Sequence, residues 1–101
     1  MRVNSNDKLP VYQVIGPKLR IHWGYEEVAT TEGIPGGWSC EEAAISKNAS
    51  RDQIIEAIIA TKYPTTGSEL AVINKGGQEY EEYQAFRVLA KSLADGWFSK
   101  T

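Results

Sequence analysis

The sequence predicts an α+β fold, in which an N-terminal β-hairpin or small antiparallel sheet is followed by three to four C-terminal helices. The first half of the chain, up to about Trp38, is rich in β-forming and turn residues. Within it, Lys18 to Trp23 alternates apolar and polar residues, which is typical of a strand with one buried face. The second half carries a series of helix start and stop signals.

A chain of 101 residues fits one compact domain. We expect residues 1–8, which are mostly polar, to be flexible. Residues 9–101 are expected to form a single α+β domain, with its β part at 9–31 and its helical part at 39–95. The segment at 31–37 is dense in Gly and Pro and is predicted to be a loop.

Two or three strands are predicted in the β part. The first runs from Leu9 to Ile15 and ends at Gly16-Pro17, a strong chain-breaking pair. The second runs from Lys18 to Trp23 and places its apolar residues on one face and its polar residues on the other. Gly24 then separates it from a third β-rich run, Tyr25 to Thr31, and is expected to mark a bulge or a bend.

Two helix start signals of the same kind predict the first two helices. The run Ser39-Cys40-Glu41-Glu42 fits a capping box, in which two side chains bind backbone N–H groups that a helix start leaves unpaired. It predicts a helix from Glu41 to Asn48. Ser50-Arg51-Asp52-Gln53 repeats the signature and predicts a helix from Arg51 to Lys62. The residues expected to be buried there are Ile55, Ile58 and Ile59, with Ile54 on the flank.

The third helix is predicted from Gly67 to Lys75, and Gly76-Gly77 would close it as a C-terminal cap and turn. Because this connection is tight, the third and fourth helices should be antiparallel neighbours. The fourth is the longest, from Gln78 to Asp95, and its apolar residues recur at steps of three and four. They are Tyr80, Tyr83, Phe86, Leu89, Ala90, Leu93 and Ala94, and Trp97 follows them.

Composition and charge exclude several classes of protein. The chain has 11 basic and 13 acidic residues, a balance that argues against a protein built mainly to neutralise phosphates. No run approaches the roughly 18–20 apolar residues of a membrane helix, and the first residues do not form a secretory signal. A single cysteine, Cys40, allows neither an internal disulfide nor a cysteine-based zinc site. We therefore expect a cytoplasmic protein, or a virion-associated one, without membrane contact.

The residue types most often used in catalysis are scarce. The chain has one histidine, His22, which the strand pattern places on the solvent face. Cys40 would lie at a helix start, where the helix dipole lowers the pKa of a thiol. A nucleophile there would need His22 as its base. We predict no catalytic, metal-binding or cofactor-binding residues, no cofactor, and no small-molecule substrate.

Aromatic residues are the feature most indicative of a binding function. The chain has three Trp, five Tyr and two Phe, and a domain of this size leaves a large part of its surface exposed. Aromatic side chains that stay exposed are typical of interaction hot spots. The candidate protein interface consists of Tyr80, Tyr83, Trp97 and Phe98.

Several segments also resemble a known group of proteins. The runs 50–63, 69–77 and 81–86, together with the Ile-Pro-x-Gly-Trp-Ser turn at 34–39, are similar to small, uncharacterised phage and prophage proteins. These are accessory proteins of the tail-region type, found in gut bacteria of the Bacteroides kind. The resemblance covers about residues 20–98. It implies a phage-encoded accessory protein and brings no catalytic residues with it.

The sequence thus predicts a non-enzymatic phage or prophage accessory or structural protein that acts by protein–protein interaction or self-association. An open sheet edge in the first half could also pair between chains. The alternative is a small regulatory nucleic-acid-binding protein that uses the short helices at 41–75. The would-be reading helix has an acid at its N-terminal end and one basic residue, which fits base recognition poorly. Nucleic acid is therefore the less expected partner.

Overall fold

The computed structural model describes residues 2–30, 32–33 and 36–99. These residues form four strands and three helices, which confirms the predicted α+β class. The chain divides into two compact units, Met1–Asn48 and Ala49–Thr101, where one domain was expected. We call them the sheet unit and the helical unit. The predicted loop at 31–37 lies partly outside the described residues.

The sheet unit is a four-stranded antiparallel sheet with the order β1-β4-β3-β2. Its two inner strands are long and its two edge strands are short, so most of the pairing is between β3 and β4. The strands are β1 (Arg2–Ser5), β2 (Tyr12–Ile15), β3 (Lys18–Val28) and β4 (Gly37–Ser46).

Strands β2 and β3 form the predicted hairpin. Ile15 pairs with Lys18, which leaves Gly16-Pro17 as a two-residue turn. Gly16 has a φ of +59°, the positive value that such a turn requires to match the twist of the strands. The chain-breaking pair in the sequence is therefore a hairpin turn.

Gly24 lies at a β-bulge, as predicted. The pairing of β3 with β4 steps from Trp23 opposite Glu41 to Glu26 opposite Ser39, so β3 contains one extra residue. Gly24 has a φ of +64°, which a residue with a side chain rarely adopts. Beyond the bulge, β3 continues as a single strand to Val28, so the separate third strand is not observed.

The predicted helix from Glu41 to Asn48 is wrong, because residues 37–46 form β4. Its Glu-Glu-Ala-Ala core favours a helix locally. In the fold, however, the same residues hydrogen-bond along β3 over almost their whole length. Such long-range pairing overrides local preference. The helical part therefore begins at Arg51 and not at residue 39.

The N-terminal residues are also more ordered than expected. Residues 2–5 form edge strand β1, so the prediction of a flexible segment 1–8 is wrong there. Arg2 fastens this strand, because its guanidinium donates hydrogen bonds to Ser39 Oγ (2.7 Å), Glu41 Oε1 (3.0 Å) and the carbonyl of Gly24 (3.1 Å). The order of β1 thus depends on residues more than 20 positions away.

The helical unit contains three helices, which are α1 (Arg51–Ala60), α2 (Thr66–Lys75) and α3 (Gly77–Ser99). The capping box at the start of α1 is present as predicted. Ser50 Oγ accepts a hydrogen bond from the backbone N–H of Gln53, and the Gln53 side chain accepts one from the N–H of Ser50. All four isoleucines of α1 are buried, and α1 packs on α3.

Candidate functional site

Helix α2 is the least buried regular element of the helical unit. Thr65 caps its start by accepting a hydrogen bond from the N–H of Ser68, and Gly76 ends it with a φ of +68°. None of residues 66–75, all of which the structure describes, is buried. Leu70 and Ile73, three positions apart on the helix, are 52% and 42% exposed. We call this pair the α2 apolar surface.

One side of α2 is held against α3. The hydroxyl of Tyr83 donates a hydrogen bond to Glu69 Oε2 at 2.5 Å. Burial and the neighbouring Glu69 carboxylate raise the pKa of Tyr83, so this hydroxyl keeps its proton and remains a donor at neutral pH. Tyr63, just after α1, packs edge-to-face on Tyr83 with ring centroids 5.1 Å apart. This cluster fixes the side of α2 that carries Glu69 and leaves Leu70 outside.

The predicted interface residues lie in different environments. Tyr83 is 1% exposed and belongs to the core of the helical unit, so it does not contribute to an exposed surface. Tyr80 is half-buried, and its hydroxyl accepts a hydrogen bond from Gln84. Trp97 is half-buried and Phe98 is 42% exposed, both in the last turn of α3. Of the four candidates, Phe98 is the most exposed.

The sequence interpretation missed Leu70 and Ile73, although a signal was present. Leu70-Ala71-Val72-Ile73 is a run of four apolar residues on a short helix. Four consecutive positions span all sides of a helix, so they cannot all face one neighbour. Such a run indicates that some apolar side chains stay outside.

The sheet unit contains a buried polar pair that the sequence interpretation did not expect. His22 is fully buried, so its predicted solvent-facing position is wrong. Its Nε2 lies 2.9 Å from Oε2 of Glu42, the residue directly opposite on β4. Its Nδ1 lies 2.7 Å from the carbonyl oxygen of Pro10. The alternation that places residues on opposite faces was right, but both faces of β3 are covered at this point.

Cys40 does not have the environment of a reactive thiol. It lies in strand β4 and not at a helix start, and its side chain is buried. Burial and the nearby Glu42 carboxylate raise the pKa of the thiol, where the helix-dipole argument expected it to fall. A raised pKa leaves Cys40 as the neutral thiol, which is a poor nucleophile.

The helical unit also has a cleft of about 580 Å³ beside α1 and α3. Its wall carries three basic and three acidic side chains, so the lining has no net charge. This balance favours neither a simple anion nor a simple cation. The charged lining residues are Arg51, Asp52, Glu56, Glu69, Arg87 and Lys91.

Two basic residues in the segment 41–75, which the nucleic-acid alternative would use, form ion pairs with carboxylates. Arg51 forms a two-point ion pair with Asp95, with Nε to Oδ1 at 2.5 Å and Nη2 to Oδ2 at 3.3 Å. The Arg51 guanidinium holds the pKa of Asp95 below its usual value. Nζ of Lys75 lies 3.0 Å from Oε1 of Glu79. These pairs reduce the positive field available to a phosphate backbone.

Among the residues that the structure describes, no group of three or more His, Cys, Asp or Glu side chains is arranged to hold a metal ion. No helix in the described ranges is both long and apolar enough to cross a membrane.

Comparison with known proteins gave no relative. No family model, no curated protein and no solved structure matches the chain. Its function is therefore inferred from its own residues and geometry.

Proposed function

We propose that the protein is a non-enzymatic binding protein that acts by protein–protein interaction through the α2 apolar surface. The observation that carries the proposal is that none of the α2 residues is buried, although two of them, Leu70 and Ile73, are large apolar residues. Phe98 at the end of α3 is a second apolar contact point. The resemblance of residues 34–39, 50–63, 69–77 and 81–86 to phage and prophage proteins supports placing it among their accessory proteins, in the cytoplasm or the virion.

Single exposed apolar residues are ordinary on protein surfaces. The α2 apolar surface differs because two large aliphatic side chains, at positions i and i+3, share one side of a helix. This spacing matches the anchors by which a helix fits into an apolar groove of a partner. Burying one such side chain contributes about 1.5–3 kcal/mol, and less when it starts half-buried. Because association also costs translational and rotational freedom, further contacts around these two anchors must contribute to the affinity.

A second surface of the same kind lies on the sheet unit. Strand β2 is an edge strand, and Val11, Val14 and Ile15 in and beside it are exposed. The strand itself, Tyr12–Ile15, has no charged residue, whereas edge strands that avoid pairing commonly carry Lys or Pro. Pro10 and Pro17 flank this stretch and limit its length. It supports the proposal as a subsidiary contact.

The nucleic-acid alternative has less support than the sequence alone suggested. The helix that was to open its reading motif is strand β4. Arg51 and Lys75 are paired with carboxylates. We therefore favour a protein partner.

Binding is best tested with a double variant and a matched control. Leu70→Glu with Ile73→Glu places two charges on the α2 apolar surface, at positions outside the buried core. Val88→Glu is the control, because Val88 is 66% exposed on α3 and is also aliphatic. Circular dichroism would verify that all the proteins are equally folded.

Self-association would be measured by sedimentation equilibrium, and binding to other proteins by capture from the organism that produces the chain. The double variant is expected to weaken the interaction by at least about tenfold, since about 1.4 kcal/mol corresponds to tenfold. Val88→Glu should behave as the wild type. If no interaction is found, or if the double variant binds as tightly as the control, the proposal is wrong.

A further inference from the structure

The cleft of the helical unit is bordered by two pairs of like charges. Its volume of about 580 Å³ is within the range of small-molecule pockets in proteins. Two carboxylates of α1, Asp52 and Glu56, line it from one helix, and Arg87 and Lys91 of α3 line it from another. Each pair is spaced four positions apart, so its two side chains share one side of their helix. We call these pairs the acidic rim and the basic rim.

The two rims come together because α1 and α3 pack side by side in opposite directions. Arg51, at the start of α1, forms an ion pair with Asp95 near the end of α3. Tyr63, just after α1, packs on Tyr83 in the first half of α3. Between these two contacts, the acidic rim of α1 therefore runs beside the basic rim of α3.

The opposite charges of the two rims do not pair with each other. Among the described residues, neither Arg87 nor Lys91 forms an ion pair with a carboxylate. Glu56 has no basic partner there either, and Asp52 lies 4.0 Å from Nη1 of its neighbour Arg51. Like charges four positions apart on a helix repel each other, so the spacing within each rim does not stabilise its helix. Both rims are thus available to a bound molecule.

The guanidinium of Arg87 gives a second, independent indication of a ligand. It is half-buried and lies beside Tyr83, with its Cζ 5.9 Å from the centroid of the ring. Its Nε–H is buried and donates to no acceptor in the part of the chain that the structure describes. A buried donor without a partner is costly, so native structures rarely contain one. The protein itself therefore leaves this guanidinium incompletely hydrogen-bonded.

We propose that the cleft binds a small zwitterionic molecule of the size of a dipeptide, with its carboxylate on the basic rim and its ammonium on the acidic rim. A carboxylate accepts two parallel hydrogen bonds from a guanidinium and further ones from a lysine ammonium. An ammonium donates up to three hydrogen bonds, which carboxylates accept. A molecule with both charges satisfies both rims at once, whereas a simple anion or a simple cation satisfies one.

The rest of the lining suits the uncharged part of such a molecule. Ile55 and Ile59 contribute apolar surface, and the hydroxyl of Thr66 can donate or accept a hydrogen bond. The cleft has room for more than one amino-acid residue, which is why we specify a dipeptide. Neither Leu70 nor Ile73 lines the cleft, so this site is separate from the α2 apolar surface and the two proposals can fail independently.

The first test titrates the wild-type protein with the dipeptide alanyl-leucine and follows the backbone amide signals by ¹H–¹⁵N NMR. We expect saturable shifts concentrated on α1, the start of α2 and residues 87–91 of α3. Acetylating the ammonium or amidating the carboxylate removes one charge of the ligand, and each change should weaken binding by at least about fivefold. The proposal is wrong if no shift saturates, if the shifts lie elsewhere, or if the capped and uncapped dipeptides bind equally.

Matched variants then assign the two ends of the ligand. Glu56→Gln and Lys91→Gln each remove one charge at an exposed position of the cleft, and each should weaken binding of alanyl-leucine by about threefold. Glu81→Gln is the control, because Glu81 is exposed on α3 and does not line the cleft. With the acetylated dipeptide, Glu56→Gln should have no further effect, whereas Lys91→Gln should still weaken binding.

Any other pattern, including an equal effect of the control variant, would overturn the proposal. Should a variant not fold, the comparison of capped and uncapped dipeptides on the wild type decides.

Discussion

The sheet unit and the helical unit differ in the contacts that stabilise each of them internally. In the sheet unit, polar side chains far apart in sequence meet, as Arg2 meets Glu41 and His22 meets Glu42. In the helical unit, isoleucines of α1 and aromatic rings form the core, and the helix starts are capped by residues three positions away. The difference shows that short-range signals can specify the helical unit, whereas the sheet unit depends on pairing that no local pattern contains.

The largest effect is expected from the core of the helical unit. Ile58 is fully buried in α1. Ile58→Ala would remove buried methyl groups and leave a cavity, which costs about 2–5 kcal/mol in free energy of unfolding. Urea unfolding followed by circular dichroism at 222 nm measures this loss. Val88→Ala, at an exposed position of α3, should change stability by less than about 0.5 kcal/mol. Similar losses in both variants would contradict the assigned core.

The two Ser-x-x-Glu/Gln signatures allow a direct comparison of the units. Ser50→Ala removes a helix cap and should cost about 1 kcal/mol together with some helical signal. Ser39 accepts a hydrogen bond from Arg2 and caps no helix. Ser39→Ala should therefore leave the helical signal in circular dichroism unchanged. A loss of helical signal in Ser39→Ala would instead support the helix from Glu41 to Asn48 that the sequence predicts.

This pair of signatures shows which parts of the fold can be predicted from the sequence and which cannot. The helices after Ser50 were predicted closely, because capping and apolar spacing act within one or two turns of a helix. The same cap pattern at Ser39 predicted a helix that does not form, because the backbone groups of these residues pair with β3 instead. The order of β1 was not predictable, since it depends on three partners of Arg2 that are distant in sequence. The exposure of Leu70 was indicated only by an excess of apolar residues on a short helix.

A smaller effect is expected where α2 is held to α3. Tyr83→Phe removes the hydroxyl that donates to Glu69 and should cost about 1 kcal/mol. Because the ring stays packed on Tyr63, the loss should concentrate in α2. Amide hydrogen exchange would then speed up more in α2 than in α1. Equal changes in both helices would mean that this hydrogen bond does not position α2.

The smallest effect concerns the exposed ion pair of Arg51 and Asp95. Arg51 lowers the pKa of Asp95, so the folded state favours the ionised carboxyl. The pair stabilises the protein above the ordinary Asp value of about 4, and this contribution is lost as the pH falls through the lowered pKa. Asp95→Asn should abolish that part of the acid dependence: the variant should be slightly less stable than the wild type above about pH 5 and equally stable below the lowered pKa of Asp95. A steeper acid dependence in Asp95→Asn would contradict the assignment.

The central claim is that the α2 apolar surface contacts another protein. A photoreactive amino acid placed at position 70, and separately at the exposed control position 88, tests it most directly. Irradiation in the organism that produces the chain, followed by denaturing electrophoresis, should give a discrete cross-linked species from position 70 and none from position 88. No cross-link at position 70, or the same pattern from both positions, would contradict the claim.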